Sequence, residues 1–138
     1  MTMALLPVEA ARARLGEAAS IDQGDLNDYV PPAPVAAATV FRAIYYARDR
    51  CAFFAHAREF TTTKLVFDLN PRQYRVDDVL ADLRAAGFPS VVLRPFFIPQ
   101  TVALPSPVLT AAKALERSGP LARLALRARF TYLVAASR

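Results

Sequence analysis

Three short groups of polar side chains have the types and spacing to do chemistry. Asp25, Asn27 and Asp28 fall within Gly24-Asp-Leu-Asn-Asp-Tyr29. Two carboxylates and a carboxamide so close together could serve a cofactor or a metal ion, or could form the Asx-type turn that caps a loop. Tyr45, Tyr46, Arg48, Asp49 and Arg50 make the second group. Phenols beside a planar guanidinium could grip an anionic or aromatic small molecule. The same residues could be a helix N-cap flanked by ion pairs that each contribute little. The third is Asp68, which follows the apolar run Leu65-Val66-Phe67 near the end of a strand that Asn70-Pro-Arg72 closes. A buried, unpaired carboxylate is costly, so Asp68 needs an Arg or a backbone amide as its partner.

Other candidates carry less. His56 is the one histidine, between Phe53 and Phe60 in a helical pattern, and a general base there would act alone or with a distant acid. Cys51 has no His at useful spacing and reads as a core residue. There is no Gly-x-Ser-x-Gly, no P-loop and no metal-spaced cluster, so no metal is expected.

The elements that must position these groups can be read from apolar spacing. Leu5, Val8, Arg12 and Leu15 predict an amphipathic helix over residues 3–19, with Pro7 in its first turn and Gly16 at its end. A short strand is expected at residues 19–23. Asp, Asn and Pro then make a loop up to Pro34. Val35-Ala-Ala-Ala-Thr-Val-Phe41 reads as a buried strand. Asp49 is placed to cap a helix running to Phe60, with Phe53, Phe54, Ala57 and Phe60 on one side. The strand 64–69 is the central one, closed by Asn70-Pro71. Asp77-Asp78 open a helix whose apolar face is Val79, Leu80, Leu83 and Ala86, with Gly87 just past its end. Residues 90–98 read as a strand, and Pro95 argues for an edge or a bulge. A loop over 99–107, helical segments at 108–117 and 121–126 and a final strand at 130–135 complete the chain. This alternation predicts an α/β fold with a largely parallel sheet and helices on both faces.

Composition sets the outer bounds. With 138 residues, 54% of them hydrophobic and 21% charged, the chain is expected to be one globular domain. The net charge of +5 comes mostly from scattered Arg, which suits solvated helix faces. Nucleic acid is not an expected partner, because aromatic and basic residues do not interleave on a strand. One Cys precludes an internal disulfide, and no apolar run approaches the roughly 18 residues of a membrane span. No basic stretch precedes Leu5-Leu6 as in a signal peptide, so a cytoplasmic location is expected.

The ordered series resembles the C-terminal two-thirds of a class I S-adenosylmethionine-dependent methyltransferase. The resemblance rests on Gly24-Asp25-Leu26, a strand ending Phe41-Arg42, Lys64-Leu-Val-Phe-Asp-Leu-Asn-Pro-Arg72, Ala86-Gly87-Phe88 and the terminal Phe130-Thr-Tyr-Leu-Val-Ala-Ala136. It implies a truncated Rossmann-like sheet with an antiparallel C-terminal strand and a helical insert at about 105–127. It implies S-adenosylmethionine as cofactor and methyl transfer to a small molecule. Asp25 and Leu26 would lie near the cofactor's adenine, Phe41 and Arg42 beside the methyl-transfer centre, and Asn70 and Arg72 on the substrate side with Tyr45 and Tyr46. The family's Gly-rich loop has no counterpart, since no Gly-x-Gly occurs. The strands that would neighbour residues 35–41 are therefore missing, and an exposed apolar sheet edge is expected there. A homodimer or a partner chain would cover it. The alternative role is that of a non-catalytic remnant serving as an interaction or oligomerisation module.

Overall fold

The computed structural model describes residues 5–96, 105–127 and 131–138. The chain forms helix α1 (Leu5–Leu15), strand β1 (Val35–Val40), helix α2 (Arg50–Phe60), strand β2 (Thr61–Leu69), helix α3 (Val76–Ala85), strand β3 (Ser90–Pro95), helices α4 (Ser106–Arg117) and α5 (Gly119–Leu126), and strand β4 (Tyr132–Ser137). The four strands make one mixed sheet in the order β1-β2-β4-β3. β1 runs parallel to β2, and β4 lies antiparallel between β2 and β3. Three strands thus point one way and the last strand of the chain points back between two of them.

One face of this sheet carries the core. Strand alternation puts Leu65, Phe67 and Leu69 on the same side, and all three are fully buried. Their cross-strand partners on β4, Ala136, Val134 and Tyr132, share that side. Phe53, Phe54 and Ala57 of α2 and Val79 and Leu83 of α3 pack against them. The Phe54 and Phe67 rings meet at 5.3 Å between centroids. α2 begins as its sequence requires, with the Asp49 carboxylate accepting from the Ala52 amide at 2.9 Å. α3 ends on Gly87 in the left-handed region (φ +95°), with the Phe88 amide donating to Leu83 O and the Gly87 amide to Arg84 O. Arg50 of α2 reaches Asp82 of α3 at 2.6 Å and ties the two helices together.

The other face differs. Ala37, Thr39 and Lys64 are exposed there, and Val66, Asp68, Leu133 and Ala135 are half-buried. The helical cover of α2 and α3 lies on the core face. α4 and α5 lie against β3 at the far edge, where Ala122 is buried. Helices were expected on both faces of the sheet; over β1 and β2 the second face carries no buried side chain among the described residues.

Pro95 ends β3 on the outer position of the sheet, in keeping with the expectation of an edge. The continuation of that strand to Ile98, and Phe130 at the start of the last strand, lie outside the described residues. The strand expected at 19–23 does not form; the segment pairs with nothing in the sheet. Ile21 is its only strong strand former, and its carbonyl accepts from the Arg12 guanidinium at 3.0 and 2.8 Å. From Val8 to its end α1 buries no side chain, so its expected apolar stripe meets no core there. The expected open edge is present: β1 is outermost and bonds only to β2 among the described residues.

Candidate functional site

Two hollows lie beside the carboxyl ends of β1 and β2, and between them they hold most of the polar groups singled out in the sequence. The first, about 920 Å³, is lined by Gly24, Asp25, Leu26, Tyr46 and Arg48 among others. The segment around Asp25 folds as an Asx turn: the Asn27 amide donates to Asp25 Oδ1 at 2.8 Å, and the Tyr29 amide to Asp25 O at 2.9 Å. Asn27 then clips this turn to the loop after β1. Its Nδ2 donates to Tyr46 O at 3.2 Å, and its Oδ1 accepts from the Arg48 amide at 2.9 Å. The Arg48 guanidinium closes the clip by donating to Asp25 and Asp28. The backbone amide of Asn27, followed by its side chain and Arg48, holds the Asp25 carboxyl below its ordinary value of 3.8. Asp25 in turn raises the Arg48 guanidinium further.

The second hollow, about 320 Å³, is lined by Arg42, Ile44, Tyr45, Asp68, Asn70, Gln73, Tyr74 and Thr131. Its floor is a link between two parallel strands. Arg42 stands just past β1 in the left-handed region (φ +54°), a conformation a non-glycine residue adopts at a cost. That turn aims its amide at Asp68 Oδ1 of β2, 2.7 Å away. A charge-assisted hydrogen bond offsets the backbone strain and supplies the partner that Asp68 needs. Asn70 Oδ1 accepts from the Arg72 amide at 3.0 Å and shapes the turn after β2. Tyr45 lies against Tyr46, with ring centroids 4.5 Å apart. Partial desolvation, and then the adjacent Tyr46, push the Tyr45 phenol above its ordinary value of 10.0.

The sequence candidates therefore separate. Asp25, Leu26 and Tyr46 line the first hollow; Arg42, Tyr45 and Asn70 line the second. Phe41 is half-exposed and lines neither, and Arg72 is exposed beside the second hollow with only its amide engaged there. Gln73 lines the second hollow and was not singled out in the sequence, whereas Arg48, grouped there with Tyr45 and Tyr46, lines the first. Arg48 becomes informative only when its partners some twenty positions away are known. His56 is a loop anchor: its Nε2 lies 2.9 Å from Tyr29 O, and since that oxygen can only accept, Nε2 carries the proton. Cys51 is half-buried with its sulfur 4.0 Å from Asp82 O. Among the described residues no group of three or more His, Cys, Asp or Glu could hold a metal ion. No described helix is long and apolar enough to cross a membrane.

The fit to an adenosyl cofactor is partial. The first hollow has the volume, an apolar side chain in Leu26 and an aromatic ring in Tyr46, which suit one face and edge of a purine. The Asp25 carboxylate already serves three donors, so it offers an incoming amine only its remaining lone-pair capacity. No protein-family model, curated protein or solved structure matches the chain.

Proposed function

We propose that this chain is the acceptor-facing part of an S-adenosylmethionine-dependent methyltransferase that acts on a small molecule. The observation that carries the reading is the sheet. Its last strand is antiparallel, as the methyltransferase resemblance implies, and it lies inside a row of strands that otherwise share one direction. Ligands of open α/β sheets are met beyond the carboxyl ends of the strands, and both hollows lie there. On this reading the sheet belongs to a Rossmann-like domain.

The cofactor supplies an electrophilic methyl group. The chain's own contribution is to orient and to exclude water. Leu26 and Tyr46 would hold the purine end, while Arg42 and Asp68 fix the geometry at the strand ends. Asn70 and Tyr45 would face the acceptor.

Calorimetric titration with S-adenosylhomocysteine tests this reading. Saturable binding that weakens about tenfold in Asp25→Ala, the loss expected for a hydrogen bond to a charged group, is the expected outcome. Absence of heat at millimolar ligand with a folded chain removes the enzyme reading.

A second reading is favoured by one observation, the open edge of β1. Val35-Ala-Ala-Ala-Thr-Val40 carries no charge and no Pro, the usual guards of an exposed edge. On this reading the chain is an assembly module that pairs through β1, with another copy or with a chain that completes the sheet. Light scattering of Ala37→Lys separates the two: dissociation of an oligomer supports pairing at that edge, and an unaltered mass excludes it.

A further inference from the structure

We propose that the hollow over Asp68 is a binding site for a small, neutral molecule presenting hydroxyl groups on a ring. The inference rests on the methyl-transfer reading only for what is then done to the hydroxyl; the site itself stands on its own geometry.

Asp68 and Asn70 each keep hydrogen-bonding capacity that the described residues do not use. Asp68 lies in β2, where strand alternation turns it to the side away from Phe67 and Leu69; Asn70 follows directly after the strand, and both line the second hollow. Each uses its Oδ1 within the protein, Asp68 for the Arg42 amide and Asn70 for the Arg72 amide. Neither Asp68 Oδ2 nor Asn70 Nδ2 is engaged within the described residues. The site thus presents an acceptor beside a donor. A hydroxyl matches both, because it gives one hydrogen bond and accepts others. An ammonium has no acceptor and a carboxylate has no donor, so each would leave one of the two groups unsatisfied.

Charge and shape agree. Arg42 and Asp68 are the charged residues among the described lining of this hollow, and their formal charges cancel, so that lining favours neither a net anion nor a net cation. Arg42, Asp68, Asn70 and Gln73 all end in planar groups with adjacent polar atoms, which suit neighbouring hydroxyls. Tyr45 and Tyr74 supply aromatic surface for the body of a ring. The volume, about 320 Å³, is at the small end of ligand sites. The left-handed turn at Arg42 gives this arrangement its rigidity, since the amide it aims at Asp68 holds the carboxylate in one orientation.

A matched set of probes tests the assignment: cyclohexane-1,2-diol, cyclohexylamine and cyclohexanecarboxylate, which share a ring and differ in the polar group. Each is titrated into the isotope-labelled full chain, with the amide resonances of Arg42, Asn70 and Thr131 as readout. The diol is expected to give saturable shifts at these amides and to bind more tightly than the other two. Asp68→Asn keeps an oxygen for the Arg42 amide and turns the other position into a donor; Asn70→Asp keeps the acceptor for Arg72 and removes the donor. Both are expected to fold, reported by unchanged β4 amides, and to weaken the diol about tenfold. Tighter binding of the amine or the carboxylate overturns the inference. So does diol binding that survives in a folded Asp68→Asn chain, or the absence of a saturable shift with the diol. No cofactor is present in these titrations, so the two failures stay distinguishable. Binding of S-adenosylhomocysteine without binding of the diol removes this site and leaves methyl transfer standing. Diol binding without cofactor binding supports the site and removes methyl transfer.

Discussion

The two faces of β2 divide the work of the molecule. On one face Leu65, Phe67 and Leu69 are fully buried beneath α2 and α3. On the other, Lys64 is exposed and Val66 and Asp68 are half-buried, and Asp68 and Asn70 turn their unused groups to a hollow. A single strand thus buries Leu65, Phe67 and Leu69 on one side and leaves Lys64, Val66 and Asp68 on the more open one. The packed face and the open face are separated by one step along the chain, because side chains alternate with a period of two.

The largest effect that sharpens this contrast is Phe67→Ala. Loss of a fully buried ring that packs on Phe54 is expected to cost about 3–5 kcal/mol, read from chemical denaturation. Val66→Ala, one position away on the other face, is expected to cost about 1 kcal/mol or less. Equal losses at the two positions would break the comparison and mean that the second face is packed in solution.

A smaller, local effect concerns acid. The Asp25 carboxyl is held below its ordinary value of 3.8, so its contribution to the clip is fully present above that pH. It is lost as pH falls through the lowered folded value. The carboxyl carbon of Asp25, followed by NMR, should titrate below 3.8 while the sheet amides stay in place. A midpoint at or above 3.8 would show that Asn27 and Arg48 do not hold it.

Much of the fold was legible because it rests on local signals. Asp49 reads as a cap, Gly87 as a left-handed stop, and Pro95 as an edge residue, each from its own chemistry. Strand 64–69 was legible as the central element, and the structure extends it back through Thr61–Thr63, where Thr61 Oγ1 donates to Ala57 O at 2.7 Å. The strand at 19–23 was misread because one Ile suffices for a pattern but not for a ladder without a neighbour. The insertion of β4 between β2 and β3 is a non-local pairing that apolar spacing does not encode. The site divided in the same way. Asp68 could be said to need a partner, but the partner proved to be the Arg42 amide. That contact depends on the register pairing Val40 with Phe67 and on a left-handed turn that no Gly announces. The clip of Asp25, Asn27 and Arg48 likewise joins loops some twenty residues apart.

The proposed cofactor face at the strand ends is tested most directly by mapping S-adenosylhomocysteine onto the labelled chain by amide shifts. Saturable changes at Gly24, Asp25, Leu26 and Tyr46, extending to Arg42 at the boundary with the second hollow, are the expected result. A folded chain whose amides do not move, or whose shifts are confined to α4 and α5, would contradict the account.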